Sequence, residues 1–228
     1  PGAPVTLCTS HCSQEIIEAI VAAIAPACPE RAMAGWGKRF RIAIKGEDPR
    51  NGRPFIWHMF HARPGAGASS GGDGWHGSGE WHSAGGLKFG SIEVAETRFP
   101  LFFERHEYRP NSGGNGQFVG GSGCELLMHL ETDSDCVVNT AGEGTRHAGA
   151  GREGGYDGAT HDYRVIGPDG HERVLKTKEE GVPVRSGSVF DVRSGGGGGW
   201  GAPDRRSNDG RLNDEEAGLP PLTDRGGV

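Results

Sequence analysis

Between residues 13 and 25 the apolar residues Ile16, Ile17, Ile20, Val21 and Ile24 recur at intervals of three and four, the spacing of one helix face. Glu15 and Glu18 stand near the positive end of that helix, Ser10 or Ser13 is placed to cap it, and Pro26 and Pro29 end it. After the helix the pattern changes. Short runs rich in β-branched and aromatic residues predict strands over 40–45, 55–61, 91–96, 101–108, 124–132, 136–140, 163–166 and 188–192. Turn chemistry separates them, as in Asp48-Pro49-Arg50-Asn51-Gly52 and Pro168-Asp169-Gly170. Together these elements predict an α+β fold, predominantly antiparallel β with one packed N-terminal helix and long glycine-rich loops.

Glycine complicates this picture. The 228 residues include 42 glycines, more than twice the usual share of about 7%. They concentrate in stretches 65–90, 142–158 and 195–201. Flexible linker is the plain reading, but Trp75, Trp81, Tyr156 and Trp200 lie in these stretches, and large aromatics favour ordered contact. The backbone there must either visit conformations closed to other residues or approach something closely. Residues 204–228 are charged, contain proline and show no periodicity, which predicts an irregular tail that wraps a partner or is loosely held.

The net charge of -6 is spread along the chain, so no basic face is evident that would neutralise a run of phosphates, and nucleic acid is not expected as a partner. No apolar run approaches the ~20 residues a membrane span needs, and Pro1-Gly2-Ala3-Pro4 has neither the basic nor the apolar part of a secretion signal. The expected setting is soluble and cytoplasmic, with no membrane partner. Five cysteines, Cys8, Cys12, Cys28, Cys124 and Cys136, are an odd number best read as reduced thiols. A chain starting at Pro1 is expected to be processed or one piece of a longer polypeptide.

Candidate chemistry is sparse. G-x-G-x-x-G fits at 72–77, 149–154 and 196–201, yet none of these leaves a strand and opens an apolar-periodic helix, and no Lys-Ser/Thr follows glycines 195–199. The nucleotide pocket is therefore expected on another chain. His58 and His61, three apart on an expected strand, point to opposite faces. His76 and His82, with Asp73 and Glu80 nearby, are free to converge on a metal or to pin loops and face solvent. Cys8, His11 and Cys12 form a compact cluster without an evident fourth zinc ligand, which favours a structural role at the helix entrance. Cys136 has no basic neighbour to activate it. Arg98, Arg105 and Arg109 flank the apolar 99–103 segment and are expected to serve paired carboxylates. No metal is assigned within this chain.

In order along the chain come Thr9-Ser10-His11-Cys12-Ser13-Gln14-Glu15-Ile16-Ile17, Asp48-Pro49-Arg50-Asn51-Gly52-Arg53-Pro54-Phe55, Arg63-Pro64-Gly65, Ile92-Glu93-Val94-Ala95-Glu96-Thr97-Arg98-Phe99-Pro100-Leu101, Glu107-Tyr108-Arg109-Pro110-Asn111-Ser112-Gly113-Gly114-Asn115-Gly116, Gly120-Gly121-Ser122-Gly123, and the glycine run 195–199 with Trp200-Gly201-Ala202-Pro203. This ordered series resembles the C-terminal half of the hydantoinase B/oxoprolinase family, over residues 1–203. Ala202-Pro203 departs from the family's more frequent Asp-Pro, and 75–86 forms a Trp/His-rich insertion. The resemblance implies a component of an ATP-dependent hydrolase of cyclic amides, of hydantoin, oxoproline or lactam type. A ketone carboxylase subunit and a non-catalytic scaffold are the alternatives.

It further implies a hydantoinase A-type ATP-binding subunit and an N-terminal hydantoinase B-type fragment as partners, with ATP and a divalent metal held on those chains and a small-molecule substrate. The family's metal motifs, Asn-Asp-Pro-Tyr, Thr-His-x-x-Asp and a His-His-x-Asp-like sequence, belong to that N-terminal half and do not occur here. What remains is expected to wall a cavity and seal an interface, through Arg63, Asp73, His76, His82, Arg98, Arg109, Gly197, Gly198, Gly199 and Trp200. No catalytic residue is assigned.

Overall fold

The computed structural model describes residues 13–59, 61–79 and 88–216. Among them, β2 (Arg53–His58), β1 (Ile42–Asp48), β5 (Cys136–Ala141) and β8 (Lys178–Val184) form one sheet in that order. A second sheet runs β3 (Leu101–Tyr108), β4 (Cys124–Leu130), β9 (Val189–Arg193), β6 (Asp162–Ile166) and β7 (Glu172–Val174). All pairings are antiparallel. Alternation decides which side chains go in: Cys124, Leu126, Met128 and Leu130 of β4 are buried, and the residues between them are only half-buried. Inward side chains of both sheets join one core cluster, in which Phe40 stacks on Tyr163 at 4.5 Å and Trp57 meets Phe103 edge-on at 6.1 Å.

Up to Pro203, three elements depart from the sequence pattern. Residues 91–96, whose apolar-polar alternation reads as a strand, begin helix α2 (Ile92–Arg98). Ser91 decides the outcome locally, because its Oγ accepts the Val94 amide at 3.2 Å and caps the helix start. Strands β7 and β8 have no apolar run to announce them. Both lie at sheet edges, where Gly181, Pro183 and exposed charged residues are tolerated because only one side of the strand must pair.

The expectation of an irregular tail fails over its first part, which forms α3 (Asn208–Glu216) after a short 3₁₀ turn at Pro203–Arg205. Residues 217–228 lie outside the described part. Arg206 ties this segment down. Its buried guanidinium donates to Asp214 twice, at 2.8 Å, and to both carboxylate oxygens of Asp73, at 2.9 and 3.0 Å. One cation between two carboxylates in bidentate geometry fixes orientation as well as contact.

The helix that opens the described chain, α1 (Ser13–Ile24), packs with an unexpected face inward. Gln14 is buried, and Glu18 pairs with Lys38 beneath it. Ile16, Ile20 and Ile24 are 58%, 52% and 52% exposed.

Candidate functional site

Left-handed backbone accounts for some of the glycines in these connections, such as Gly77, Gly144, Gly154 and Gly201, but not for the central run. None of glycines 195–199 takes a positive φ. They are needed because chains touch main chain to main chain. A Cβ on Gly196, Gly197 or Gly198 would fall well inside 3.0 Å of the carbonyls of Ser112, Ala66 and Ala150.

Run 195–201 continues β9 through the middle of a bundle made from the connections after β2, between β3 and β4, and between β5 and β6. Its amides turn to a new neighbour at each step. Gly196 and Gly199 donate to Ala159 and Tyr156, Gly197 and Trp200 donate to Gly121 and Phe118, and Gly198 donates to Gly35. On the acceptor side, Gly195 and Gly198 receive Gly65 and Ala68. Over 195–200 the segment contacted thus recurs after three residues, the period of an extended polyproline II-type helix, which makes no internal hydrogen bonds and offers them all to its surroundings. In this way buried peptide groups without regular sheet partners are still paired.

Side chains fasten the bundle to the sheets. Ser194 Oγ donates to the Arg63 carbonyl and accepts the Cys124 amide, both at 2.7 Å. Ser112 Oγ donates to the Arg109 carbonyl at 2.8 Å and accepts the Gly123 amide at 2.9 Å. His161 is buried, accepts the Gly195 amide at Nδ1 and meets the Lys38 carbonyl through Nε2 at 2.6 Å. Burial pushes its pKa down to about 3, so the ring stays neutral, with one nitrogen accepting and the other donating.

Beside the bundle, a cleft of about 530 Å³ opens between α1 and residues 66–75. Ile17, Met33, Trp36 and Trp75 make its apolar walls, the backbone of Ala66, Gly67 and Gly74 contributes to its lining, and Ser69 and Asp73 supply polar atoms. Size and character suit a small, largely apolar ligand. A second, polar groove of about 810 Å³ runs past Arg109, Arg146, His161, Lys176 and Lys178.

Most of the sequence-selected residues meet around the bundle. Gly197, Gly198 and Gly199 are at its centre, and Trp200 ends it, its backbone paired with Phe118 in both directions. Arg63 is buried where the bundle joins β4. Asp73 lies on the cleft, already engaged by Arg206 and the Val119 amide. His76 accepts the Ser122 amide at 2.9 Å, a loop-pinning contact. Arg109 donates to the carbonyls of Thr160 at 2.7 Å and Ser194 at 3.2 Å, so its first role is to main chain and not to the paired carboxylate expected of it. Arg98 stands apart, exposed in the last turn of α2. His82 and the cluster of Cys8, His11 and Cys12 lie outside the described residues.

Sequence reasoning missed Arg206 and His161. Arg206 sits in a segment with no apolar period, and its carboxylates are far away in sequence. Among the described residues no three His, Cys, Asp or Glu side chains converge to hold a metal ion. No helix among them is long and apolar enough to cross a membrane.

Comparison with known proteins gives this geometry a context. The family model described as hydantoinase B/oxoprolinase matches residues 1–203. Caprolactamase subunit beta of Pseudomonas jessenii is 34% identical over 215 residues, which cover 90% of this chain and 36% of that protein. 5-Oxoprolinase 1 of Arabidopsis thaliana is 33% identical over 110 residues, 48% of this chain and 8% of that protein. The crystal structure of the ATP-dependent caprolactamase from P. jessenii superposes with a TM-score of 0.79 at 29% identity, over 97% of this chain and 39% of that one. Acetone carboxylase, in a nucleotide-free structure, shares the fold, with a TM-score of 0.71 at 19% identity over 86% of this chain and 30% of that one.

Proposed function

Since the chain belongs to the hydantoinase B/oxoprolinase family, we propose that it is the glycine-bundle part of a B-type subunit in an ATP-dependent enzyme that hydrolyses cyclic amides. The observation that carries this reading is the 34% identity to a caprolactamase beta subunit along 90% of the chain. The chain spans little more than a third of that subunit. We therefore place ATP on a hydantoinase A-type partner, and a divalent metal on the part of the B-type protein not represented here. No chemical step is assigned to this chain.

Its contribution is positional. An unactivated cyclic amide has a poor leaving group, and transfer of phosphate to its oxygen divides one hard step into easier ones. The cleft of Ile17, Met33, Trp36 and Trp75 would hold the substrate's methylene face against a wall that the bundle keeps rigid. The setting we propose is cytoplasmic, without nucleic acid.

The test is ATP turnover by the assembled complex with a lactam, a hydantoin or 5-oxoproline, with and without bicarbonate. Turnover stimulated by a cyclic amide and indifferent to bicarbonate is the expected result. Turnover that requires bicarbonate and a ketone would replace this reading with a carboxylase, to which the shared fold of acetone carboxylase gives some support. Trp200→Ala should lower turnover with assembly intact; unchanged turnover would leave the chain a scaffold.

A further inference from the structure

Helix α1 turns an apolar stripe outward. Its Ile16, Ile20 and Ile24 follow one another at intervals of four along a single face, and that face is more than half exposed. The opposite side carries Gln14, Glu18 and Val21 onto the bundle rim, against Met33, Ala34, Trp36 and Lys38. There the Gln14 side-chain amide is buried with no acceptor among the described residues. A helix seated only on this domain would bury its isoleucines and leave Gln14 and Glu18 to water, because burial of apolar surface is the favourable term and an unpaired buried amide costs free energy. Here Ile17 and Val21 are half-buried on the inner side beside Gln14 and Glu18, while Ile16, Ile20 and Ile24 face outward, so that stripe is shaped for another surface.

We propose that the Ile16/Ile20/Ile24 face of α1 is the seat of the remaining part of the hydantoinase B-type polypeptide, which closes the open side of the Trp36/Trp75 cleft when it docks. This rests on the family reading above. The occupant follows from length: the matched segment is 36% of the caprolactamase beta subunit and 39% of the solved caprolactamase chain. Most of a B-type protein therefore has to be joined to this part across some surface. The isoleucine face is the apolar one beside the cleft, and Ile17, the neighbour of Ile16, already lines that cleft. Whether the remainder is continuous with this chain or a separate polypeptide does not alter the contact.

A photo-crosslinking residue placed at position 20 in the native complex tests this, with position 174 as control, since Val174 is 63% exposed on edge strand β7. The expected adduct from position 20 is a peptide of B-type sequence not represented in residues 1–228. An adduct with the ATP-binding subunit, with a second copy of this chain, or with nothing while the complex is intact would overturn the proposal. Ile20→Glu should leave the melting temperature of the chain unchanged and weaken capture of the B-type remainder, supplied as a separate polypeptide, about tenfold or more. Equal capture by wild type and Ile20→Glu would also overturn it. The functional reading fails separately, if no ATP-dependent cyclic-amide turnover accompanies the complex, whatever position 20 touches.

Discussion

At the scale of single residues, the bundle turns glycine from a flexible residue into a packing residue. Gly197→Ala would drive a methyl group into the Ala66 carbonyl, a backbone atom that cannot step aside. It should destabilise the chain by about 3 kcal/mol or more in urea unfolding. Gly72→Ala is the contrast, with nothing within 4 Å of its added carbon and no positive φ. It should be neutral or stabilising by about 0.5 kcal/mol. Equal effects in the two variants would refute the close-packed description.

His161 gives a pH dependence. In the unfolded chain it takes up a proton near pH 6.5, in the folded chain only near pH 3. The unfolded state therefore binds more protons between those values, and stability falls as pH drops from 6.5 towards 3, by about 2 kcal/mol at pH 5. Above pH 6.5 the contribution is complete. His161→Gln should be less stable at pH 7 but show a flatter loss between pH 7 and 5 in the same unfolding measurement.

At the scale of elements, the long alternating segments were legible and the marginal ones were not. Strand β3 falls on its expected bounds, and β4, β5, β6 and β9 within one or two residues of theirs. Buried strands need alternating apolar residues, and those are visible. Helix α2 was misread because Ile92, Val94 and Glu93 alternate as in a strand, while one capping hydroxyl and the buried Ala95 decide for helix. The α1 period was legible, and the face it buries was not, because periodicity gives a stripe without saying what covers it.

The tail was obscure for a different reason: α3 is held by charge and not by an apolar stripe. Arg206→Ala would leave the Asp214 carboxylate, nearly buried, and the Asp73 carboxylate without their shared cation. It should cost about 3 kcal/mol and free residues 203–216 to proteolysis. An unchanged cleavage pattern would show that α3 is held by something other than the clamp.

At the scale of the whole molecule, two sheets supply the hydrophobic core and the bundle beside them supplies a rigid body made of peptide groups. Amides of residues 196–201 should exchange with deuterium as slowly as those of β4 and β9, although they lie in what reads as a loop. Exchange within seconds would mean that the hydrogen bonds do not hold in solution. The candidate site was legible as far as the glycine stretches and their aromatics. The meeting of segments from four separate connections was not, because main-chain contacts leave no side-chain pattern to read.

A braid of identical links has a weakness that sheets lack. Glycines 195–199 present the same surface at every step, so nothing inside the run marks its position along the braid. The phase is set at the ends: by β9, whose register against β4 and β6 leads straight into the run, by Ser194, whose hydroxyl is locked between Arg63 and Cys124, and by Trp200, whose backbone pairs with Phe118. The featureless middle of the braid thus takes its alignment from its two anchored ends.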